Sequence, residues 1–197
     1  MKELVEKQNK LQEEAFETLE QLGLEKLLTP FGEFKFVGSI EYGLMTWRDI
    51  DADLFVKNVP SDELYWQIVQ TIFCQPEVEL LMLADNRNGD TEPNRPKSMY
   101  LGIKYLNAHG NKWRFDIRIL RKEDDMTNKV KTMIEQKIDE QKRLAILEIK
   151  SQVHDNPKYH KEFSSVDIYE AVLLHGIKTL ADFKKYLLKN KNVRTQI

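Results

Sequence analysis

The strongest constraint on the fold of this chain is an alternation of aspartates in a strand-like run. Asp49, Asp51 and Asp53 occupy every second position, and the residues between and after them are apolar: Ile50, Ala52, Leu54 and Val56. Because successive side chains of a strand point to opposite faces, one face can pack and the other collects three carboxylates. Like charges this close repel each other unless a cation lies between them. The run therefore predicts a strand that carries a divalent metal site.

There are two other interpretations of the alternating aspartates besides the metal site. The first is an exposed edge strand with solvated charges, which fits this pattern as well. The second is an EF-hand calcium loop, which needs Gly at its sixth position and Glu at its twelfth. Counted from Asp49, those positions hold Leu54 and Pro60, so a calcium loop is excluded.

A Gly-Ser pair precedes the aspartates by about ten residues. Gly38-Ser39 follows the apolar run Phe34–Val37, which we predict to be the first strand. Glycine lets a phosphate approach the backbone, and the amides that follow would open a short helix whose positive end favours an anion. The dipeptide alone is typical of an ordinary turn, but its position before the aspartates favours a phosphate-binding turn.

The order Gly38-Ser39, Gly43 and then Asp49-Ile50-Asp51 resembles the nucleotidyltransferase superfamily. In that family an Asp-x-Asp pair follows a Gly-Ser turn, and a third carboxylate lies on a later strand. The sequence of residues 48–53 is most similar to that of the lincosamide and aminoglycoside nucleotidyltransferases. The resemblance implies an α+β fold, with a nucleotidyltransferase-like mixed β-sheet and flanking helices, followed by a helical C-terminal portion.

The resemblance also implies a set of site residues. The expected catalytic residues and metal ligands are Asp49, Asp51 and Asp116, and the expected nucleotide- or phosphate-binding residues are Gly38, Ser39 and Arg48. Two Mg²⁺ ions are expected, with Mn²⁺ as an alternative, beside a nucleoside triphosphate, ATP. Asp53 shares the acidic face but lies beyond the family's pair, so no role follows for it.

A β-hairpin is predicted from Ser98–Asn107 and Lys112–Leu120. Its second arm alternates, with Asp116 on a polar face between Arg114 and Arg118. A cross-strand salt-bridge ladder on a solvent face would produce this pattern. Alternatively, if the arm lies beside the aspartate strand with the polar faces aligned, Asp116 is the third carboxylate. The family resemblance implies that order of strands; the residues alone leave both arrangements open.

Helices account for much of the remaining sequence. We predict an amphipathic helix over residues 2–28, a helix from Ser61 to about Phe73, and one long helix from Asp124 to about Val153. Trp66 is either a platform for base stacking or a core residue, and its helical spacing favours the core. Between them, the polar segment from Asp85 to Lys97 carries three cations (Arg87, Arg95 and Lys97) and is either a solvated loop or a clamp for a triphosphate. Strand-like runs end near residue 122, so the predicted domains are 1–122, catalytic, and 123–197, helical.

The composition limits the cellular setting and the partners. The formal net charge of −2 argues against a nucleic-acid partner, and the single cysteine excludes an internal disulfide and fits a reducing cytoplasm. The charged N-terminus is unlike a signal peptide, and no apolar run has transmembrane length, so we expect no membrane partner. A homodimer is compatible with the N-terminal helix.

The expected function is metal-dependent transfer of AMP from ATP to a hydroxyl of a small molecule, of which an antibiotic is an example. Two alternatives remain open at the level of sequence. In one, the acceptor is a protein or a tRNA. In the other, the fold binds a nucleotide without turning it over.

Overall fold

The computed structural model describes residues 2–88 and 96–193. Contacts within the chain divide it into two compact units, which we call the sheet unit, residues 11–127, and the helical unit, residues 1–10 and 128–197. Helix α1 (Lys2–Leu22) contributes residues to both units. The domain boundary expected after residue 122 stays a prediction.

The sheet unit is built on a mixed sheet, as the α+β fold class predicts. Among the described residues it has five strands: β1 (Glu33–Val37), β2 (Asp49–Phe55), β3 (Val78–Asp85), β4 (Met99–Leu106) and β5 (Lys112–Leu120). Their spatial order is β1-β2-β5-β4-β3, with β2 and β5 parallel and every other pair antiparallel. The aspartate strand β2 is therefore an interior strand, and its interpretation as an exposed edge is wrong.

Alternation along the interior strands builds the core. Ile50, Ala52 and Leu54 of β2 are buried, and so are Phe115 and Ile117 of β5, on the face opposite the acidic residues. They share one hydrophobic cluster with residues of the flanking helices: Ala15, Leu19, Leu24, Leu28, Ile68 and Ile72. Burial of side chains of this size contributes about 1.5–3 kcal/mol each. Core packing therefore holds one face of the sheet, which leaves the other face to polar residues.

Among the described residues of the sheet unit, three α-helices follow α1. The helix predicted over residues 2–28 is interrupted, because Gly23 takes a φ of 64° and separates α1 from α2 (Leu24–Leu28). Helix α3 (Ser39–Tyr42) follows Gly38, and α4 (Asp62–Phe73) begins after Ser61, whose side chain accepts a hydrogen bond from the Leu64 amide at 3.2 Å. The predicted start and end of α4 are confirmed.

Trp66 lies outside the core, contrary to the prediction. The buried face of α4 is formed by Tyr65, Ile68, Val69 and Ile72, whereas Trp66 is 58% exposed. One residue along a helix is a rotation of about 100°, which turns Trp66 away from the stripe that begins at Tyr65.

After a 3₁₀ turn (Lys122–Asp124), the chain is helical: α5 (Asn128–Lys137), α6 (Glu140–Val153), α7 (Ser165–His175) and α8 (Leu180–Lys191). The single helix predicted from Asp124 to Val153 is wrong. Asp139 is extended and accepts a hydrogen bond from the Lys142 amide at 2.8 Å, so it caps a new helix. Ser164 and Asp167 form a capping box at the start of α7, and Gly176 ends that helix in the left-handed conformation.

No helix within residues 2–88 and 96–193 combines the length and apolar character that a membrane crossing requires. The cytoplasmic location stays a prediction.

Candidate functional site

The polar face of the sheet brings the acidic residues of β2 opposite those of β5. The register pairs Asp49 with Arg114, Asp51 with Asp116, and Asp53 with Arg118. The outer two pairs join opposite charges, as a salt-bridge ladder would. The central pair places two carboxylates opposite each other, an arrangement that destabilises a sheet unless a cation compensates it.

Three carboxylates converge at this central pair, and we call Asp49, Asp51 and Asp116 the acidic cluster. One oxygen from each lies within 4.8 Å of the other two. Opposite ligands of a single Mg²⁺ are about 4.2 Å apart when each Mg–O bond is about 2.1 Å, so small side-chain rotations bring these oxygens to coordination distance. Carboxylates are the hard oxygen donors that magnesium prefers, and the donor set therefore fits the metal that the sequence implies.

Asp49 is held from two sides. Arg114 donates from Nε to Oδ1 at 2.8 Å and from Nη2 to Oδ2 at 3.2 Å, and the Trp47 indole donates to Oδ2 at 3.1 Å. Asp49 as a whole is only 8% exposed. Burial alone would lower the pKa of Arg114, but Asp49 and then Asp116 outweigh it and raise that pKa. Arg114 therefore stays charged beside the cluster.

Asp116 is bound by a tyrosine and by the same arginine. The Tyr100 hydroxyl donates to Oδ1 at 2.5 Å, and Arg114 Nη2 lies 2.9 Å from Oδ2. Gly102 faces Asp116 in the register, and a Cβ built there would meet the Tyr100 hydroxyl oxygen at 2.6 Å. Glycine thus leaves the space that lets Tyr100 lie along the strand and reach Asp116.

Burial and the neighbouring Asp49 raise the pKa of Asp116, more than Tyr100 and Arg114 lower it. The carboxylate is therefore a better proton acceptor than an ordinary aspartate. The pKa of Tyr100 is also raised, by burial and then by Asp116, which keeps its hydroxyl protonated and able to donate.

The Gly-Ser turn lies directly against the acidic cluster. Gly38 has φ 70° and ψ −144°, and a Cβ built on it would lie 2.7 Å from Asp51 Oδ2. Any side chain here would collide with a candidate metal ligand. Ser39 is the first residue of α3, and its carbonyl accepts hydrogen bonds from the Gly43 and Leu44 amides. The phosphate-binding role of Gly38 and Ser39 stays a prediction.

Arg48 is engaged by a carboxylate from α1. Its Nε donates to Glu14 Oε1 at 2.9 Å and its Nη2 to Oε2 at 3.0 Å. Glu14 also accepts from Asn111 at 2.8 Å and from Trp113 at 3.1 Å. Burial by itself would raise the pKa of Glu14, but these hydrogen bonds, with that of Arg48 the largest, lower it. Arg48 thus joins α1 to the start of β2, and its role toward a phosphate stays a prediction.

Asp53 forms a buried ion pair. Arg118 donates to its two oxygens at 2.7 and 2.6 Å, and Asp53 is fully buried. Burial nevertheless raises the pKa of Asp53, more than Arg118 lowers it. This pair joins β2 to β5 beside the acidic cluster, a structural role that the aspartate pattern alone did not assign.

The polar segment from Asp85 to Lys97 is described only at residues 85–88 and 96–97. Arg87 is paired with Asp62 at 2.6 Å and with Asp85 at 2.6 Å, which anchors it to the start of α4. Arg95 lies outside the described residues. The triphosphate-clamp interpretation of this loop stays a prediction.

The residues that hold the carboxylates in place do not stand out in the sequence. Arg114 is visible there only as a flanking cation, and the local pattern gives Tyr100, Gly102 and Trp47 no role. Tyr100 and Gly102 alternate on the strand that pairs with β5, so a Tyr-x-Gly spacing opposite an acidic residue is the signal that would indicate them.

No family model matches the sequence, and no curated protein matches it significantly. Solved structures do match. The Cid1 poly(U) polymerase, as a mutant bound to MgATP, superposes with a TM-score of 0.62 and 20% identity over 85% of this chain and 51% of its own. The same polymerase with MgGTP gives a TM-score of 0.59 at 19% identity, over 86% of this chain and 50% of its own.

A third structure, described for the RNA terminal uridylyl transferase activity of Cid1, has a TM-score of 0.56 and 16% identity over 90% of this chain and 53% of its own. The chain thus spans about half the length of these neighbours, which belong to the nucleotidyltransferase superfamily. The similarity shows that the chain has the nucleotidyltransferase-like fold. The closer resemblance to lincosamide and aminoglycoside enzymes is not reflected among these neighbours.

Proposed function

We propose that the protein is a metal-dependent nucleotidyltransferase that moves a nucleoside monophosphate, AMP from ATP, to a hydroxyl of an acceptor. The observation that carries this proposal is the carboxylate pair Asp51–Asp116 at the centre of the β2–β5 register, with Asp49 within 4.8 Å. Two acids facing each other on interior strands are costly without a cation. The shared fold with a polymerase that binds MgATP supports the same reaction class.

Each site residue has a role in the proposed reaction. Asp49, Asp51 and Asp116 would hold Mg²⁺, or Mn²⁺ in its place. When bound, the metal supplies Lewis-acid polarisation of the α-phosphate and neutralises charge on the departing pyrophosphate. Gly38 and Ser39 present backbone to the phosphates, since no side chain obstructs the approach at Gly38.

In the proposed step the acceptor oxygen bonds to the α-phosphorus, and the bond between the α-phosphorus and the bridging oxygen breaks to release pyrophosphate. The hydroxyl proton passes to Asp116, which lies within reach of the other two carboxylates of the cluster. Tyr100 orients that carboxylate by donating to Oδ1, which leaves Oδ2 on the side of Arg114. Positioning and electrostatics carry the remainder of the rate enhancement.

Two acceptor classes are candidates. The first is the small hydroxyl compound that the sequence resemblance implies. The second is a polyanion such as RNA, which the distribution of charge favours: the helical unit has 17 Lys and Arg against 11 Asp and Glu, whereas the sheet unit has 13 against 21. The overall charge of −2 conceals this basic helical unit. Neighbours described as a poly(U) polymerase and an RNA terminal uridylyl transferase also support the second class.

The test is transfer of label from α-³²P-ATP with Mg²⁺, given either an RNA oligonucleotide with a free 3′ hydroxyl or a mixture of small hydroxyl compounds. We expect labelled product in one arm and none with Asp51→Asn, because an amide keeps the shape of the side chain and loses the charge. Near-full activity of Asp51→Asn would refute the metal site. Nucleotide binding without label transfer in either arm would favour the non-catalytic binding module.

A further inference from the structure

The guanidinium of Arg114 lies between two carboxylates of the acidic cluster. Its Nη2 atom is 3.2 Å from Asp49 Oδ2 and 2.9 Å from Asp116 Oδ2, while its Nε donates to Asp49 Oδ1 at 2.8 Å. One cation thus joins Asp49 to Asp116. Both oxygens of Asp49 accept hydrogen bonds from it, and one oxygen of Asp116 forms an ion pair with it.

A divalent ion bound to Asp49 would share an oxygen with this cation, because both Asp49 oxygens accept hydrogen bonds from Arg114. An ion bonded to Asp116 Oδ2 at about 2.1 Å can be no farther than about 5 Å from Nη2, because Nη2 is itself 2.9 Å from that oxygen. Two positive charges at this separation, on a largely buried face, repel each other strongly. The guanidinium and the metal therefore compete for Asp49 and Asp116.

Arg114 has a route out of the cluster. Its side chain is 39% exposed, whereas that of Asp49 is 10% exposed, so the arginine can rotate toward solvent while the carboxylates stay in place. In the ion pair Arg118–Asp53 the arginine side chain is 26% exposed and the aspartate side chain is fully buried, so departure of Arg118 would leave a buried carboxylate without its partner. Arg114 is the more exposed of the two arginines.

We propose, on the basis of the function proposed above, that Arg114 is an internal counter-ion that a divalent metal displaces from Asp49 and Asp116. Arg114 holds the mutually repelling carboxylates together before the metal binds, and it lowers the apparent metal affinity by the cost of its displacement. It is a positioning residue, because it acts on the metal ligands and on neither substrate.

The test measures Mn²⁺ affinity by electron paramagnetic resonance, without nucleotide, in wild type, Arg114→Gln and Arg114→Lys. An opposite charge at this distance shifts a carboxylate's affinity for a proton by about ten- to a thousandfold, so we expect Arg114→Gln to bind Mn²⁺ at least about tenfold more tightly. Arg114→Lys keeps the charge but loses the planar two-armed contact, and we expect a smaller gain.

Thermal melting with and without Mn²⁺ provides a second readout. A purely structural role of Arg114 would lower the melting temperature of its variants without changing the shift that Mn²⁺ produces. Without metal, Arg114→Gln should melt below wild type because the carboxylates repel. With saturating Mn²⁺, its melting temperature should rise by more than that of wild type. If Arg114→Gln does not fold, Arg114→Lys carries the same comparison.

Two control variants separate the outcomes. Lys104 is exposed and faces Arg114 across the β4–β5 register, so Lys104→Gln removes a nearby charge without touching a carboxylate, and we expect at most about a threefold change in affinity. Asp51→Asn should abolish binding in wild type and in Arg114→Gln. Equal or weaker Mn²⁺ binding by Arg114→Gln, with wild-type binding intact, would overturn this inference and leave the proposed function standing. No Mn²⁺ binding by any variant would overturn both.

Discussion

Replacing Gly38 by alanine tests whether the turn sets the position of Asp51. The new Cβ would lie 2.7 Å from Asp51 Oδ2, and ordinary contacts of this kind begin near 3.4 Å, so the carboxylate must move by about 0.7 Å. The backbone conformation, φ 70° and ψ −144°, is one that residues other than glycine rarely adopt and costs about 1–3 kcal/mol. We expect Gly38→Ala to lose this amount of unfolding free energy and also to lose turnover.

The expected loss of turnover follows from the displacement. An error of about 1 Å in the position of groups that align reactants costs up to about 100-fold in rate. A shift of about 0.7 Å at Asp51 should therefore slow pyrophosphate release, by up to about 100-fold, and the affinity for Mn²⁺ should fall as well. Denaturant unfolding measures the loss of stability separately from these two.

Gly23→Ala is the matched control. Gly23 also has a positive φ, 64°, but nothing lies within 4 Å of the position of its Cβ. The variant should lose about 1–2 kcal/mol from backbone strain and keep its metal affinity and turnover. Wild-type metal affinity and turnover in Gly38→Ala would refute the positioning argument, and equal functional losses in both variants would attribute the effect to general strain.

Two further predictions concern stability. Trp66→Ala should lower the free energy of unfolding by no more than about 1 kcal/mol, measured with denaturant, because the ring is 58% exposed. Ile68→Ala, on the buried face of the same helix, should lower it by about 2–5 kcal/mol. A loss of about 3 kcal/mol or more in Trp66→Ala would contradict the exposure of the ring. The raised pKa of Asp116 means that the native chain retains a proton that the unfolded chain releases near pH 3.8, so its contribution to stability is present below that pH and is lost as pH rises through the native pKa. Asp116→Asn should remove this decline, which begins above about pH 4, and an unchanged slope would assign it to another group.

Much of the candidate site could be predicted from residues close together in the chain. Alternation along residues 49–56 placed the aspartates on one face, because neighbouring side chains of any strand point to opposite sides. The alternation around Asp116 and the hairpin that presents it follow from the same local rule. The Ser61 cap is equally local, since a hydroxyl three residues before an amide can bond to it in the first turn of a helix.

Errors of prediction arose where local preference was ambiguous. Gly23 and Asp139 each interrupt an apolar stripe that is periodic across them, so periodicity alone extends the helix through both. Trp66 is adjacent to the buried stripe of α4, and which side of its boundary a residue occupies depends on the sheet that the helix packs against. Such cases are decided by tertiary packing, which overrides local propensity.

The sequence by itself determined that one strand would carry alternating carboxylates, that Asp116 would lie on a polar face, and that a Gly-Ser turn would precede the aspartates. Only the tertiary structure decided that β2 and β5 are parallel neighbours, so that residues 65 apart in the chain lie opposite each other and Asp51 meets Asp116. The physical reason is that alternation is a property of each strand's own backbone, whereas the order and register of strands depend on how their apolar faces pack together in a shared core. The same packing placed Arg114 between two of the carboxylates, a contact that no spacing along the chain could specify.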